Sequence, residues 1–264
     1  MSRLAPRLLL AIVALFLAAP VAIIAGVSLN AQQSLVFPPQ GLSARWYAAI
    51  FTDPAWRAAL LTSVAVAALA ALLAVLVALP IAYALWRRAS PVGRLVQLLG
   101  VSPFVLPPVI TALGALAFWS TAGFYGSPFT VVVSHAVFFT SLPLVTLTLG
   151  FASIDREIVE AARTMGADER AVRRTIVLPM IRPYLVSGFA FAFVLSLNEY
   201  IIAYMTVGFT METVPIKIFN ALRYGYTPVM ASISVLFVAL AAVVFSLVAR
   251  FGDLPRLLGA WDRR

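Results

Sequence analysis

The chain alternates long apolar runs with shorter polar segments. A helix needs roughly 20 apolar residues to cross a bilayer core. Six runs meet that length: Leu8 to Leu29, Ala58 to Trp86, Leu95 to Trp119, Pro128 to Phe151, Pro183 to Val207, and Pro228 to Ala249. The pattern predicts an all-α integral membrane protein with six transmembrane helices in one domain, residues 1–264. Arg3 and Arg7 precede the first run, as they would in a secretory signal. Its apolar core exceeds the roughly 7–15 residues of such a signal, so a retained first helix is expected.

Two polar segments carry elements of their own. Asn30 to Arg57 contains Phe37-Pro38-Pro39, then Trp46, Tyr47, Phe51 and Trp56. Pro-Pro stops a helix, and the aromatics suit the headgroup level, so a short surface helix is expected as an anchor. Val214 to Arg223 sets Ile216, Phe219, Ala221 and Leu222 apart from Lys217 and Arg223, which predicts a second short surface helix. Inside the third run, Pro103, Pro107 and Pro108 each remove a backbone donor and bend the helix. Such a bend either lines a pathway or serves packing.

Composition strengthens the membrane reading. The chain is 62% hydrophobic and 11% charged, against roughly half and a quarter in soluble domains. Cysteine is absent, which removes disulfides, thiolate metal sites and cysteine nucleophiles. The net charge of +9 is explained by loop arginines that set orientation, without nucleic acid. With the N-terminus inside, the inner segments hold Arg3, Arg7, Arg87, Arg88, Arg94, Arg156, Arg163, Arg170, Arg173, Arg174, Arg182, Arg250, Arg256, Arg263 and Arg264. The outer segments hold only Arg45, Arg57, Lys217 and Arg223. Both termini are therefore expected in the cytoplasm.

The longest interruption by charge runs from Glu160 to Pro179 and reads EAARTMGADERAVRRTIVLP. By the same counting it is cytoplasmic. Ser153 or Asp155 can cap a helix running to Met165, with Glu157 and Glu160 in its early turns. Ile154, Ile158, Ala161, Ala162 and Met165 form its apolar stripe. Gly166 ends that helix. Asp168 can cap a second short helix through Arg174, and Leu178-Pro179 closes the element. An L-shaped pair of helices outside the membrane is expected, with the small Ala161-Ala162 pair admitting a close partner.

The spacing of Glu160-Ala161-Ala162, Gly166, Ile176 and Leu178-Pro179 resembles the EAA loop of ABC importer permeases. FPPQGLSARWY, LSLNEY and VPIKIFNALRYGYTP resemble the polyamine (spermidine/putrescine) branch, in its shorter permease type. The resemblance covers nearly the whole length and implies the type I ABC importer permease fold, with a coupling loop over 152–182. It implies that Glu160, Ala161, Ala162, Gly166, Ile176, Leu178 and Pro179 couple the permease to an ABC ATPase dimer. It also implies a second, usually non-identical permease subunit, a periplasmic solute-binding protein, and a place in a bacterial inner membrane. The chain has no G-x-x-x-x-G-K-[ST] phosphate loop. No cofactor is expected in it, ATP and Mg being bound by the ATPase, and no enzyme activity is expected of it.

Glu199 is the only carboxylate within an apolar run, and an ionisable group there is a functional candidate. Ser187, Phe191, Leu195 and Glu199 follow one another at helical spacing, with Asn198 alongside. His135, the only histidine, falls at a similar depth in the fourth run, so the two are candidates for one outer vestibule. Asn198, Glu199, His135 and Tyr200 are the candidate solute path, and Tyr200, Tyr204 and Trp119 offer cation–π faces. A structural role is the alternative: Glu199 pairing with an arginine, His135 as a buried, hydrogen-bonded core residue. A carboxylate favours a cationic solute. Polyamine permeases often carry two adjacent acids where this chain has Asn198-Glu199, so an aminophosphonate or amino acid-like cargo also fits. A stand-alone secondary transporter would need paired intramembrane charges. Ser134-His135 is not a catalytic pair, because neighbours on a helix point apart.

Overall fold

The computed structural model describes residues 4–88 and 90–251. Arg3, Arg256, Arg263 and Arg264, counted above for orientation, lie outside the described residues. Thirteen α-helices are described: α1 (Leu4–Ser28), α2 (Arg45–Thr52), α3 (Pro54–Arg87), α4 (Pro91–Val105), α5 (Pro108–Thr121), α6 (Pro128–Phe139), α7 (Ser141–Ala152), α8 (Arg156–Thr164), α9 (Glu169–Val172), α10 (Leu178–Asn198), α11 (Ile201–Val207), α12 (Val214–Tyr224) and α13 (Val229–Phe251). A π-helical turn, Arg173–Val177, joins α9 to α10. The only β pairing among the described residues is an isolated bridge between Asn30 and Leu42.

Four continuous helical segments are long and apolar enough to span: Pro6–Ser28, Pro54–Arg87, Glu169–Asn198 and Val229–Arg250. The third and fourth predicted runs are each a broken pair. α4 and α5 meet at 108°, and α6 and α7 at 43°. The first break is at Pro107-Pro108, where two missing donors and two rings stop the helical ladder. The second has Pro143 in the first turn of α7, so that residue has no N–H to return to Phe139. Counting each pair as one span gives six, as the apolar pattern predicts.

The fifth run departs from expectation at both ends. It begins far earlier, because α9, the π turn and α10 form one span from Glu169. Pro179 therefore does not close the loop; it sits in the first turn of α10, where its missing N–H costs little. The run also stops earlier, at Asn198, and Ile201–Val207 is a separate short helix.

The chain forms two compact units. One comprises residues 1–61 and 214–242, the other 62–213 and 243–264. In the first, α2 and α12 are the two predicted short surface helices. Its loop is ordered by Asn30, which is fully buried. Asn30 Oδ1 accepts from Gln32 N and Gln40 N, each at 3.1 Å. Its backbone oxygen accepts Trp46 Nε1 at 2.7 Å.

In the second unit the buried stripe of α3 is Ala70, Ala74, Ala78 and Ala82, small residues one turn apart that let other helices approach closely. α10 lies against α7 in the same way. A Cβ on Gly188 would sit 2.6 Å from Thr146 Oγ1 and 2.7 Å from Pro143 Cα. α11 packs on α5 and α6. Ile202 of α11 is fully buried in a cluster with Ala71, Ala112, Phe138, Phe139 and Ala192.

Candidate functional site

The 152–182 segment is built as its capping residues dictate. Asp155 Oδ1 accepts from Glu157 N at 2.9 Å and starts α8; Ser153 does not, donating instead to Gly150 O at 2.8 Å. Gly166 ends α8 at φ +91°, a conformation that disfavours L side chains, and donates to Arg163 O at 2.9 Å. Asp168 Oδ1 accepts from Ala171 N at 2.6 Å and starts α9. Leu178 N then reaches back five residues to Arg173 O, the hydrogen bond that defines a π turn.

The apolar stripe of α8 differs from the expected one. Ile154, Val159 and, in part, Ala162 pack inward on a cluster with Ala78, Ala82, Leu144, Leu147, Phe151, Val172, Val177 and Ile181. Ile158, Ala161 and Met165 are exposed, Met165 at 82%. Of the expected small pair, only Ala161 faces outward. Among the remaining predicted coupling residues, Ile176 is half-buried in the cluster, while Glu160, Leu178 and Pro179 are exposed. The loop thus has a buried face that fixes it to α3 and α7, and an outer face of Ile158, Glu160, Ala161 and Met165. Reading the sequence alone missed Glu169. Its Oε2 is 2.7 Å from Arg87 and its Oε1 is 2.7 Å from Arg163. The signal was a carboxylate in the first turn of the second helix, facing a chain rich in arginine.

The other candidate residues meet at the break between α10 and α11. Glu199 Oε1 accepts from Ile202 N at 2.9 Å and Oε2 from Ala203 N at 3.0 Å. The carboxylate therefore caps α11, which explains why the helix breaks there. His135 Nε2 lies 3.1 Å from Glu199 Oε2 without making a directed hydrogen bond, and Nδ1 shares one with Ser196 Oγ at 2.7 Å. Sequence reading brought Glu199 and His135 together correctly, but not in an open vestibule: their side chains are 9% and 1% exposed. The Ser187-Phe191-Leu195-Glu199 row also does not line one cavity. Ser187 is buried and donates to Pro183 O, Phe191 packs on Phe245, and Leu195 is exposed.

Asn198 and Tyr200 are the accessible members of this group, Asn198 exposed and Tyr200 partly so. Tyr200 stacks on Tyr204 at 5.5 Å, and Trp119 donates to Ser134 Oγ at 2.8 Å. Ser134 and His135 do point apart. Ser196, His135 and Glu199 stand in the hydroxyl–imidazole–carboxylate order that hydrolases use. Ser196 is buried, which leaves no access for a substrate carbonyl.

Broken helices of membrane-spanning length with a capped, two-helix loop anchored on a buried cluster define a multi-pass membrane protein. Solved structures agree on the fold. The chain matches a bacterial ABC transporter involved in import of the acidic polysaccharide alginate with a TM-score of 0.69, at 17% identity, over 95% of this chain and 98% of that one. It matches the MetNI methionine ABC transporter with a TM-score of 0.58, at 19% identity, over 74% and 92%. Residues 74–253 match the profile of the binding-protein-dependent transport system inner membrane component. The chain belongs to that family. It is a multi-pass membrane transport subunit and not an enzyme, the ATPase being a separate subunit.

Among characterised relatives, the putrescine transport system permease protein PotI of Escherichia coli (strain K12) is 32% identical over 87% of this chain and 84% of the relative. The spermidine/putrescine permease protein PotC of Haemophilus influenzae is 29% identical over 78% and 81%. The sulfate transport system permease protein CysT of Salmonella typhimurium is 30% identical over 83% and 86%.

Proposed function

We propose that this chain is a permease subunit that imports a small organic cation of the polyamine type, driven by a separate ATPase dimer that docks on the 152–182 loop. The observation that carries the docking role is the outer face of α8. It presents Ile158, Ala161 and Met165 around an exposed Glu160, on a loop whose other face is fixed in the protein core. Apolar residues around one charge suit a partner that buries the apolar part and neutralises the charge. Gly166 and the half-buried Ile176 hold the shape of the loop, and Leu178-Pro179 begin the helix that the loop moves. ATP and Mg bind to the ATPase. A second permease subunit completes the pathway, and a periplasmic solute-binding protein delivers cargo from outside. The loop and both termini lie in the cytoplasm of a bacterial cell, on the arginine asymmetry already given.

Cargo is assigned from PotI and PotC, against the sulfate relative, because the α10–α11 break carries a carboxylate and aromatic faces. Asn198 and Tyr200 are the residues that meet it. Glu199 and His135 act from behind that surface: the carboxylate supplies negative potential while its oxygens remain on α11.

The test is reconstitution of the whole importer. Glu160→Lys and Gly166→Pro are expected to leave the permease in the membrane while uptake is lost and ATP hydrolysis is no longer tied to it. Normal transport by both variants would remove the coupling role. Mass spectrometry of the ligand carried by the binding protein tests the cargo: a polyamine supports it, and an anion such as sulfate overturns it.

A further inference from the structure

On α8, Glu160 has a basic residue at pairing distance on both sides, Arg156 four positions before it and Arg163 three after. Such spacings ordinarily form ion pairs. Neither forms. Arg163 Nη2 turns to Glu169 Oε1 at 2.7 Å, and Arg156 donates to Trp86 O at 3.4 Å. The second oxygen of Glu169 takes Arg87 Nη1 at 2.7 Å. The Glu160 carboxylate itself makes no ion pair among the described residues. Yet Glu160, Arg87, Arg156 and Arg163 all line one open cleft of about 150 Å³.

Two of the three arginines beside Glu160 are thus occupied by one carboxylate from the next helix. Exposed ion pairs of this kind add little to folding stability. Their effect here is on partner choice. Released from Glu169, Arg163 stands three residues from Glu160 on the same helix, and Arg87 faces the same cleft. Either would then neutralise the charge that the loop presents. We infer that Glu169 is a positioning residue: by holding Arg163 and Arg87, it keeps the Glu160 carboxylate free for a cationic group on the docking ATPase. The inference rests on the docking role proposed above.

The experiment titrates the importer's ATPase subunit onto the permease pair held in lipid nanodiscs. Glu169→Gln is expected to weaken binding about two- to fivefold, the strength of an exposed ion pair that docking must first break. Adding Arg163→Gln to Glu169→Gln is expected to restore part of that loss, because one of the two competing cations is gone and only Arg87 remains. A merely structural role gives the opposite sign: the double variant binds more weakly than either single one. Wild-type binding by Glu169→Gln, or no restoration in the double variant, overturns the inference. Glu160→Ala in the same titration separates the two levels. Its normal binding would remove the docking role itself; its weak binding beside a normal Glu169→Gln removes only the part assigned to Glu169.

Discussion

Gly166 is the position at which the loop's shape can be altered with least disturbance elsewhere. Its φ is +91°, and a Cβ added there would meet no heavy atom within 4 Å. Gly166→Ala therefore introduces no clash, and its cost is the backbone cost alone. For a left-handed residue with a Cβ that is roughly 1–2 kcal/mol. A free loop escapes this cost by relaxing to another turn, and must recover the native turn to dock. The full cost then falls on docking, which lowers affinity for the ATPase about 5- to 30-fold. Asparagine tolerates the left-handed region better than other side chains, so Gly166→Asn is expected to lose less than Gly166→Ala. Gly166→Pro fixes φ on the opposite side of the map and removes the donor to Arg163 O, so it is expected to abolish docking. The assay is ATPase titration onto the nanodisc-held permease pair, with solute imported per ATP hydrolysed as the second readout. The order wild type, Asn, Ala, Pro is the prediction. Equal affinity for wild type and Ala would show that the left-handed turn is not part of the docked geometry, and the reasoning would fail.

Two further outcomes follow from packing and capping. Gly188→Ala forces a Cβ to within 2.7 Å of the Pro143 backbone, which cannot give way as a flexible side-chain end can. It is expected to lower stability by about 1–3 kcal/mol, read as a fall in the melting temperature of the purified complex. Gly114→Ala meets nothing within 4 Å and is the matched control, expected to leave melting unchanged or slightly raised. Glu199→Gln keeps one acceptor for the two amides of α11 and turns an NH2 toward the other or toward His135. A buried donor left without a partner costs about 1–3 kcal/mol. The expected result is a lower melting temperature together with faster hydrogen exchange at Ile202 and Ala203. Unchanged exchange there would contradict the capping role.

What the sequence could and could not disclose follows from how each feature is encoded. The six spans were legible because length and apolarity are local properties. The bend at Pro107-Pro108 was legible too, since proline acts on its own turn, but its size of 108° depends on what α4 and α5 pack against. The break after Asn198 carries no proline or glycine. Its signal was the polar pair Asn198-Glu199 inside an apolar run, which suggests a solute path but does not disclose that the carboxylate also caps α11. The stripe of α8 was misassigned for a simpler reason. Val159 and Ala162 lie three apart, and Ile158, Ala161 and Met165 follow at spacings of three and four. Both faces are apolar, and only the tertiary contacts decide which is inside. That ambiguity is itself informative, since a helix with two apolar faces has one left over for a partner.

The misreading of Pro179 changes the mechanical picture most. A loop closed at Leu178-Pro179 would flex independently of the next span. Instead the segment from Glu169 to Asn198 is one helical rod of 30 residues, about 45 Å long at the standard rise. One end carries Glu169, ion-paired to Arg87 and Arg163. The other end stops at Glu199, where the α11 cap and His135 meet. Tyr184, near the middle, lies against Gly150, and Gly188, two-thirds of the way along, lets the rod lie directly on Pro143 and Thr146 of α7. A displacement imposed on the proposed docking loop would have one continuous helical path to the α10–α11 break, with Pro183 inside it. The π turn at Arg173–Val177 is the one place where this rod departs from α geometry. It lies just before Pro179, whose ring crowds the carbonyl four residues back, and the wider turn makes room for it. Replacing Pro179 with Ala removes that crowding. The rod should then close to a regular α-helix, which rotates everything before it relative to α10 and shifts the face that α8 presents. Uptake per ATP should fall in this variant even though the helix itself becomes more regular. Full coupling in Pro179→Ala would show that the phase set by the π turn is irrelevant to how the loop drives the span.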